Sequence, residues 1–304
     1  MDATGDLRVR LAAFDWLREQ VERHGQVLSR ATLLTGFLLD GERVPLMSPQ
    51  GIFKPRVCDM PLSITTTPNS PYMDTEAGPY LVSYAYRGRD PEFPDNRGLR
   101  EAMERQVPLV YFYGAVPGRY LATWPVYVVG NDEPGLHFNI SVGEASRIVE
   151  LAGKTLTGAG EDREEIRREY VTATVRRRLH QQKFREQVLA AYRDQCTICH
   201  LRHQELLDAA HIVADAEDEG DPVVSNGLAL CKLHHAAFDS FFMTVRPDYT
   251  IEVRRSILEE SDGPMLLVGL KQMHDQPIQL PRSRLDRPDT ARLERRYERF
   301  RQAS

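Results

Sequence analysis

Between Cys196 and Asp239 the chain reads CTICHLRHQELLDAAHIVADAEDEGDPVVSNGLALCKLHHAAFD, a window that holds three of its four cysteines and five of its nine histidines. Two pairs stand out, Cys196-x-x-Cys199 and Cys231-x-x-His234. A C-x-x-C turn lets two thiolates face one ion, and a second pair about thirty residues later completes the tetrahedral Cys3His set of a structural Zn2+. Burial of thiols alone demands no such spacing. Cys58 stands apart and is expected to be an ordinary core or surface thiol.

The rest of the chain bounds the class of molecule. A length of 304 residues is about twice a common domain size, and 41% hydrophobic residues suffice for two modest cores, so two domains are expected. The N-terminal MDATGDLRVRLAAFDWLREQ has no basic-then-apolar signal pattern, and no run approaches the roughly 18 apolar residues of a membrane span. The expectation is a cytoplasmic protein without a membrane partner, whose reduced thiols serve metal rather than disulfides. A net charge of −5 does not advertise a nucleic-acid binder, but the sum hides its distribution. Acidic residues gather in DAEDEGD (Asp215 to Asp221), whereas RREYVTATVRRRLHQQKFR (Arg167 to Arg185) is strongly basic.

Hydrophobic periodicity then divides the chain. Leu11, Phe14, Leu17 and Val21 recur at three- and four-residue steps, which predicts an amphipathic first helix. From Leu33 to about Val129, short apolar runs (TLLTGFLL, YLVSYAY, PLVYFYG, WPVYVVG) are separated by Gly, Pro, Asn and Asp, the punctuation of a β domain. GKTLTGAGEDREE, from Gly153, reads as an exposed linker, and the following REEIRREYVTATVRRRLHQQKFREQVLAAY as a long helix delivering the chain to the cysteines. The final LPRSRLDRPDTARLERRYERF reads as a proline-started loop and a basic helix packed on the second domain. The expected class is α+β, with a first domain at 1–152, a linker and basic helix at 153–183, and a second domain at 184–304.

With His234 assigned to zinc, His211, Asn226, His235 and Asp239 remain in the same window. Together with DAAHI, SNGLALC and HHAAFD they resemble the HNH nucleases, over roughly residues 184–260. That family has a ββα-metal fold, with a hairpin and a helix around one catalytic ion. The resemblance implies that His211 is the general base, on the first hairpin strand, oriented by a backbone carbonyl that Asn226 helps to position. It implies that His235 binds a catalytic divalent ion, Mg2+ or Mn2+, with Asp239, one helical turn later, as second ligand. Asp208 is a further metal candidate, although Ala210 stands where relatives place a ligand directly before the base. The residue types suit the task, since phosphodiester cleavage needs a base to activate water and a cation to neutralise charge on the phosphate and leaving oxygen. Arg176, Arg177 and Arg178, on the helix feeding this region, are candidate phosphate contacts.

The stretch PYMDTEAGPYLVSYAYRGRDPEFPDNRGLREA (Pro71 to Ala102) resembles SRA domains, PUA-like β-barrel modules with flanking helices that read 5-methylcytosine by flipping it out of the duplex. In that family two tyrosines twelve positions apart, with an acidic residue shortly after the first, build the base pocket. Tyr72, Asp74 and Tyr84 fall at that spacing, the carboxylate one residue closer to the first tyrosine than in the best-known readers. An aromatic pair can sandwich an extruded base while a carboxylate accepts from the cytosine amine. GRDPEFPDNRG resembles the family's finger loop, with Asn96 and Arg97 at the matching positions. GIFKPR resembles its early glycine-rich segment, with Lys54 and Arg56 as phosphate contacts. SRA-like and HNH parts in this order resemble the modification-dependent restriction endonucleases of the TagI type, which implies cutting of double-stranded DNA containing 5-methylcytosine. One HNH site cuts one strand, so a homodimer is expected. Two alternatives stay open: an HNH nuclease whose first domain senses another modification or ligand, and a methyl-DNA binding module with an idle nuclease.

Overall fold

The computed structural model describes residues 3–67, 82–142, 161–215, 217, 219–261 and 263–303. They form two compact units, Met1–Leu179 and His180–Ser304. Among the described residues no helix is long and apolar enough to cross a membrane.

The first unit is built on a seven-stranded mixed sheet. Its path runs β4 (Ile52–Phe53), β5 (Ser63–Thr66), β7 (Leu109–Val116), β8 (Arg119–Asp132), β9 (His137–Val142) and β6 (Val82–Ala85), with β1 (Val27–Ser29) paired to the start of β8, while β2 (Phe37–Leu39) and β3 (Glu42–Val44) form a separate hairpin. β5 lies parallel to β7, and the other pairs are antiparallel. β7 is buried on both faces, so its alternating side chains serve two cores. Val110 and Phe112 meet α1 (Ala3–His24) and α2 (Arg30–Thr35), while Tyr111, Tyr113 and Ala115 pack with Leu99 of α3 (Pro94–Glu104).

Four sequence expectations are corrected in this unit. Leu11 is exposed; α1 instead buries Val9, Ala13 and Leu17 at four-residue steps, together with Phe14. The TLLT run is helical rather than a strand. Ser29 caps α2 by accepting from the Thr32 amide, and Gly36 ends it at φ 62°, where a Cβ would lie 1.9 Å from the Val44 carbonyl oxygen. The finger-loop stretch GRDPEFPDNRG runs into α3, which begins at Pro94. Asn96 there is fully buried, accepting from the Arg87 amide and donating to the carbonyls of Arg87 and Asp90, so it ties a loop to a helix instead of facing a duplex. Finally, the described strands do not close into a barrel: among the described residues β4 and β6 end the path of the sheet without pairing to each other. It does curl, because Tyr84 on β6 donates to the Thr65 carbonyl of β5 across 3.2 Å.

Much of the expected linker, residues 153–160, lies outside the described residues, and the long helix appears as α4 (Glu161–Ala191). In the second unit, β10 (Leu207–His211) and β11 (Gly227–Cys231) form an antiparallel hairpin that runs straight into α5 (Lys232–Asp239), giving the ββα arrangement. A second hairpin, β12 (Met243–Val245) with β13 (Ile251–Val253), then α6 (Arg255–Glu259), α7 (Pro264–Gly269) and α8 (Thr290–Ala303), complete the unit. Phe184, Val188, Leu230, Phe238 and Leu293 share its core. Gly227 permits close packing on the hairpin, since a Cβ there would sit 2.4 Å from Val188 Cγ2 and 3.0 Å from Phe184 Cζ.

Candidate active site and metal centre

The turn after α4 brings Cys196 and Cys199 together, with His200 held at φ 62° just beyond. Cys231 ends β11 and precedes α5, and His234 follows in the first turn of that helix. The four ligand atoms lie within 4.8 Å of one another. Individual separations are 3.2 Å from Cys231 Sγ to His234 Nδ1, 3.5 Å from Cys196 Sγ to the same nitrogen, and 3.8 Å between Cys199 and Cys231 sulfurs. Tetrahedral Zn2+ bonds of about 2.0–2.3 Å place ligand atoms roughly 3.5–3.8 Å apart. The Cys3His cluster therefore has the dimensions of a structural zinc site. The other ring nitrogen of His234 lies 2.8 Å from the Gly269 carbonyl, a partner that leaves Nδ1 free for metal and ties α7 to the centre. Cys196 and Cys231 push the Cys199 thiol up, as neighbours competing for one charge must, and a divalent cation relieves that competition.

A second constellation lines a cleft of about 390 Å³ in the same unit, walled by His211, His235, Asp208, Asp215, Asp239 and Arg296 among others. His211, at the end of β10, pairs in register with Gly227 and stacks on Phe184 with ring centroids 4.0 Å apart. Its Nε2 is buried and has no hydrogen-bond partner among the described residues. Burial holds its pKa below the ordinary 6.5, with Asp215 opposing the shift. A neutral imidazole with an open nitrogen can accept a proton. Asn226 is fully buried, accepts from the Val213 amide and donates to the carbonyls of Val213 and Asp221, so it locks the backbone just past His211.

His235 and Asp239 share one face of α5, with Nε2 to Oδ2 at 3.3 Å. Asp239 raises the pKa of His235, and His235 in turn lowers that of Asp239. Asp208 faces them from β10, 3.8 Å from His235 Nδ1, but it is also engaged by Lys232 at 3.2 Å and Arg185 at 3.5 Å. His235 and Asp239, an imidazole and a carboxylate on one helix face, have the donor chemistry to take part in holding a divalent cation, whereas Asp208 faces the opposite ring nitrogen of His235. Phe184, Arg185, Asp215 and Arg296 were not singled out by the sequence; only their tertiary positions make them part of the cleft.

In the first unit, Tyr84 is a core side chain, 7% exposed, and burial raises its pKa. Tyr72 and Asp74 lie outside the described residues, as does the side chain of Arg176. Lys54, Arg56, Arg97, Arg177 and Arg178 are exposed, and Arg178 donates to Gln26.

Comparison with known proteins places these features. A family model of HNH endonucleases matches residues 196–246. The match covers both zinc pairs, Asn226, His211, His235 and Asp239. No curated protein matches the chain. A solved structure described as "Modification dependent TagI restriction endonuclease" is similar at 17% identity and a TM-score of 0.32, over 93% of this chain and 90% of that one. The ββα hairpin and helix, the Cys3His cluster and the family match agree: the second unit contains an HNH-type endonuclease domain, and the chain is a metal-dependent nuclease.

Proposed function

We propose that the protein is a modification-dependent DNA endonuclease whose second unit hydrolyses a phosphodiester and whose first unit directs it to 5-methylcytosine. The observation that carries the catalytic half is the buried, unpartnered Nε2 of His211 in one cleft with His235 and Asp239. In this reading His211 takes the proton of the attacking water, and desolvation keeps the ring neutral for that role. His235 and Asp239 would hold a divalent ion, Mg2+ or Mn2+, with Asp208 as a further ligand. Once bound, the ion supplies charge neutralisation at the phosphate and leaving oxygen. Asn226 fixes the backbone behind His211, and the Cys3His set would hold a zinc ion that ties the hairpin to α5. Exposed Lys54, Arg56, Arg97, Arg177 and Arg178, with Arg176, serve backbone phosphates.

The base-reading half is supported by the spacing of Tyr72, Asp74 and Tyr84. An extruded 5-methylcytosine would stack between the tyrosines with its amine on Asp74. A homodimer would offer one cleft to each strand. The burial of Tyr84 and its bond to Thr65 favour a second reading, in which this tyrosine is core alone and the first unit senses another modification or ligand. Digestion of matched methylated and unmethylated plasmid with Mg2+ or Mn2+ separates them. Preferential cutting of methylated plasmid supports the proposal, and equal cutting of both supports the second reading. Methyl-specific binding without any cutting would mean an idle nuclease.

A further inference from the structure

We propose that Arg296 is the phosphate-binding residue of the catalytic cleft, its guanidinium taking the non-bridging oxygens of the scissile phosphate; this rests on the reading of His211, His235 and Asp239 as the catalytic set. Arg296 lies on α8, outside the family match, and is 8% exposed while lining the same cleft. Its Nη2 donates to the Phe238 carbonyl at 2.5 Å, and the guanidinium lies over the rings of Phe238 at 3.8 Å and Phe241 at 4.5 Å. Nε is buried and has no partner among the described residues.

Three other arginines of α8 show what this one lacks. Arg292 meets Asp221 at 3.4 Å, Arg295 meets Glu217 at 3.3 Å, and Arg299 meets Glu217 at 2.6 Å. The acidic loop after His211 thus neutralises the outer arginines. Among the described residues no carboxylate lies within ion-pair distance of Arg296, and the acid whose charge it chiefly feels is Asp239 of the cleft. Burial lowers its pKa to about 10, which leaves it cationic at neutral pH. A buried cation without a counter-ion is costly to keep, and the cost is offset when an anion enters beside it. The planar fork of donors matches phosphate oxygens, and the ring faces orient it. Negative charge on those oxygens grows toward the transition state, so the contact acts on rate more than on DNA affinity.

The test uses full-length, zinc-loaded protein. Arg296→Met keeps an apolar stem between Phe238 and Phe241 and removes the charge; Arg296→Lys keeps the charge without the fork. Single-turnover cleavage of duplex DNA at saturating divalent ion is expected to slow by about 10²–10³-fold in Arg296→Met, with DNA affinity near wild type and Arg296→Lys intermediate. Inorganic phosphate, compared with chloride at equal ionic strength, is expected to raise the melting temperature of wild type and of His211→Ala but not of Arg296→Met. A near-wild-type rate, or a phosphate shift that survives in Arg296→Met, overturns the proposal. Should Arg296→Met melt below the assay temperature, Arg296→Lys decides: a weakened phosphate shift supports the assignment and an unchanged one overturns it. If wild type cuts no DNA while the phosphate shift depends on Arg296, the nuclease reading fails and the anion site stands. If wild type cuts and neither readout responds to Arg296, this proposal alone fails.

Discussion

Burial lowers the pKa of His211 below 6.5, whereas Asp239, 3.3 Å away, raises that of His235. The two imidazoles of one cleft are thus driven apart, one toward the neutral form of a base and the other toward a cation paired with a carboxylate, whose proton a bound metal ion would displace. A general base must be unprotonated. With a lowered pKa, His211 stays neutral at pH values above its folded value and is lost only as pH falls through it. The acid limb of the single-turnover rate, measured at saturating divalent ion, is therefore expected to inflect below pH 6.5; an inflection above that value would point to another base. Asn226 contributes differently. Asn226→Ala strips partners from the buried amide and carbonyl of Val213, at about 1–3 kcal/mol for each group left unpaired, and from the carbonyl of exposed Asp221. Urea denaturation should show that loss, and a midpoint equal to wild type would mean the loop satisfies itself without Asn226.

At the scale of elements, the Cys3His centre joins the turn after α4, the end of β11, the start of α5 and, through the Gly269 carbonyl, α7. Metal binding at such a site is largely folding free energy. Cys196→Ala is expected to abolish cooperative melting of the second unit and to lower zinc content from about one ion per chain. A folded, zinc-free variant of full activity would contradict this. The metal pairs were readable in sequence because each is a local motif whose spacing the ion itself dictates. Arg296 was not, because its role depends on Phe238 and Phe241 being brought beneath it by the fold. Two misread elements carried local signals that outweighed their apolar or polar runs: the Ser29 cap and Gly36 stop around TLLT, and Pro94 opening α3. The strand order of the described sheet, with β5 parallel to β7 and β4 and β6 at its ends, is tertiary information that apolar runs do not encode.

At the scale of the whole molecule, the proposed function divides labour between a unit that selects DNA and a unit that cuts it. If Tyr72 stacks on an extruded base, Tyr72→Ala forfeits roughly 1–3 kcal/mol, a loss of about tenfold to hundredfold in affinity for methylated duplex. Asp74→Ala should lose discrimination, since the base's amine is left without its acceptor. Binding of unmodified duplex should stay salt-dependent and nearly unchanged, because it rests on Lys and Arg contacts to phosphate. Paired titrations of folded variants check this, and an unaltered methyl preference would move recognition to other residues. All of it presupposes that the cleft around His211 performs the chemistry. The most direct measurement is single-turnover cleavage of a methylated duplex by His211→Ala, in protein whose zinc content and melting temperature equal those of wild type. The expected rate is lower by about 10²–10⁴-fold with DNA binding intact; cleavage at the wild-type rate would mean that the base lies elsewhere.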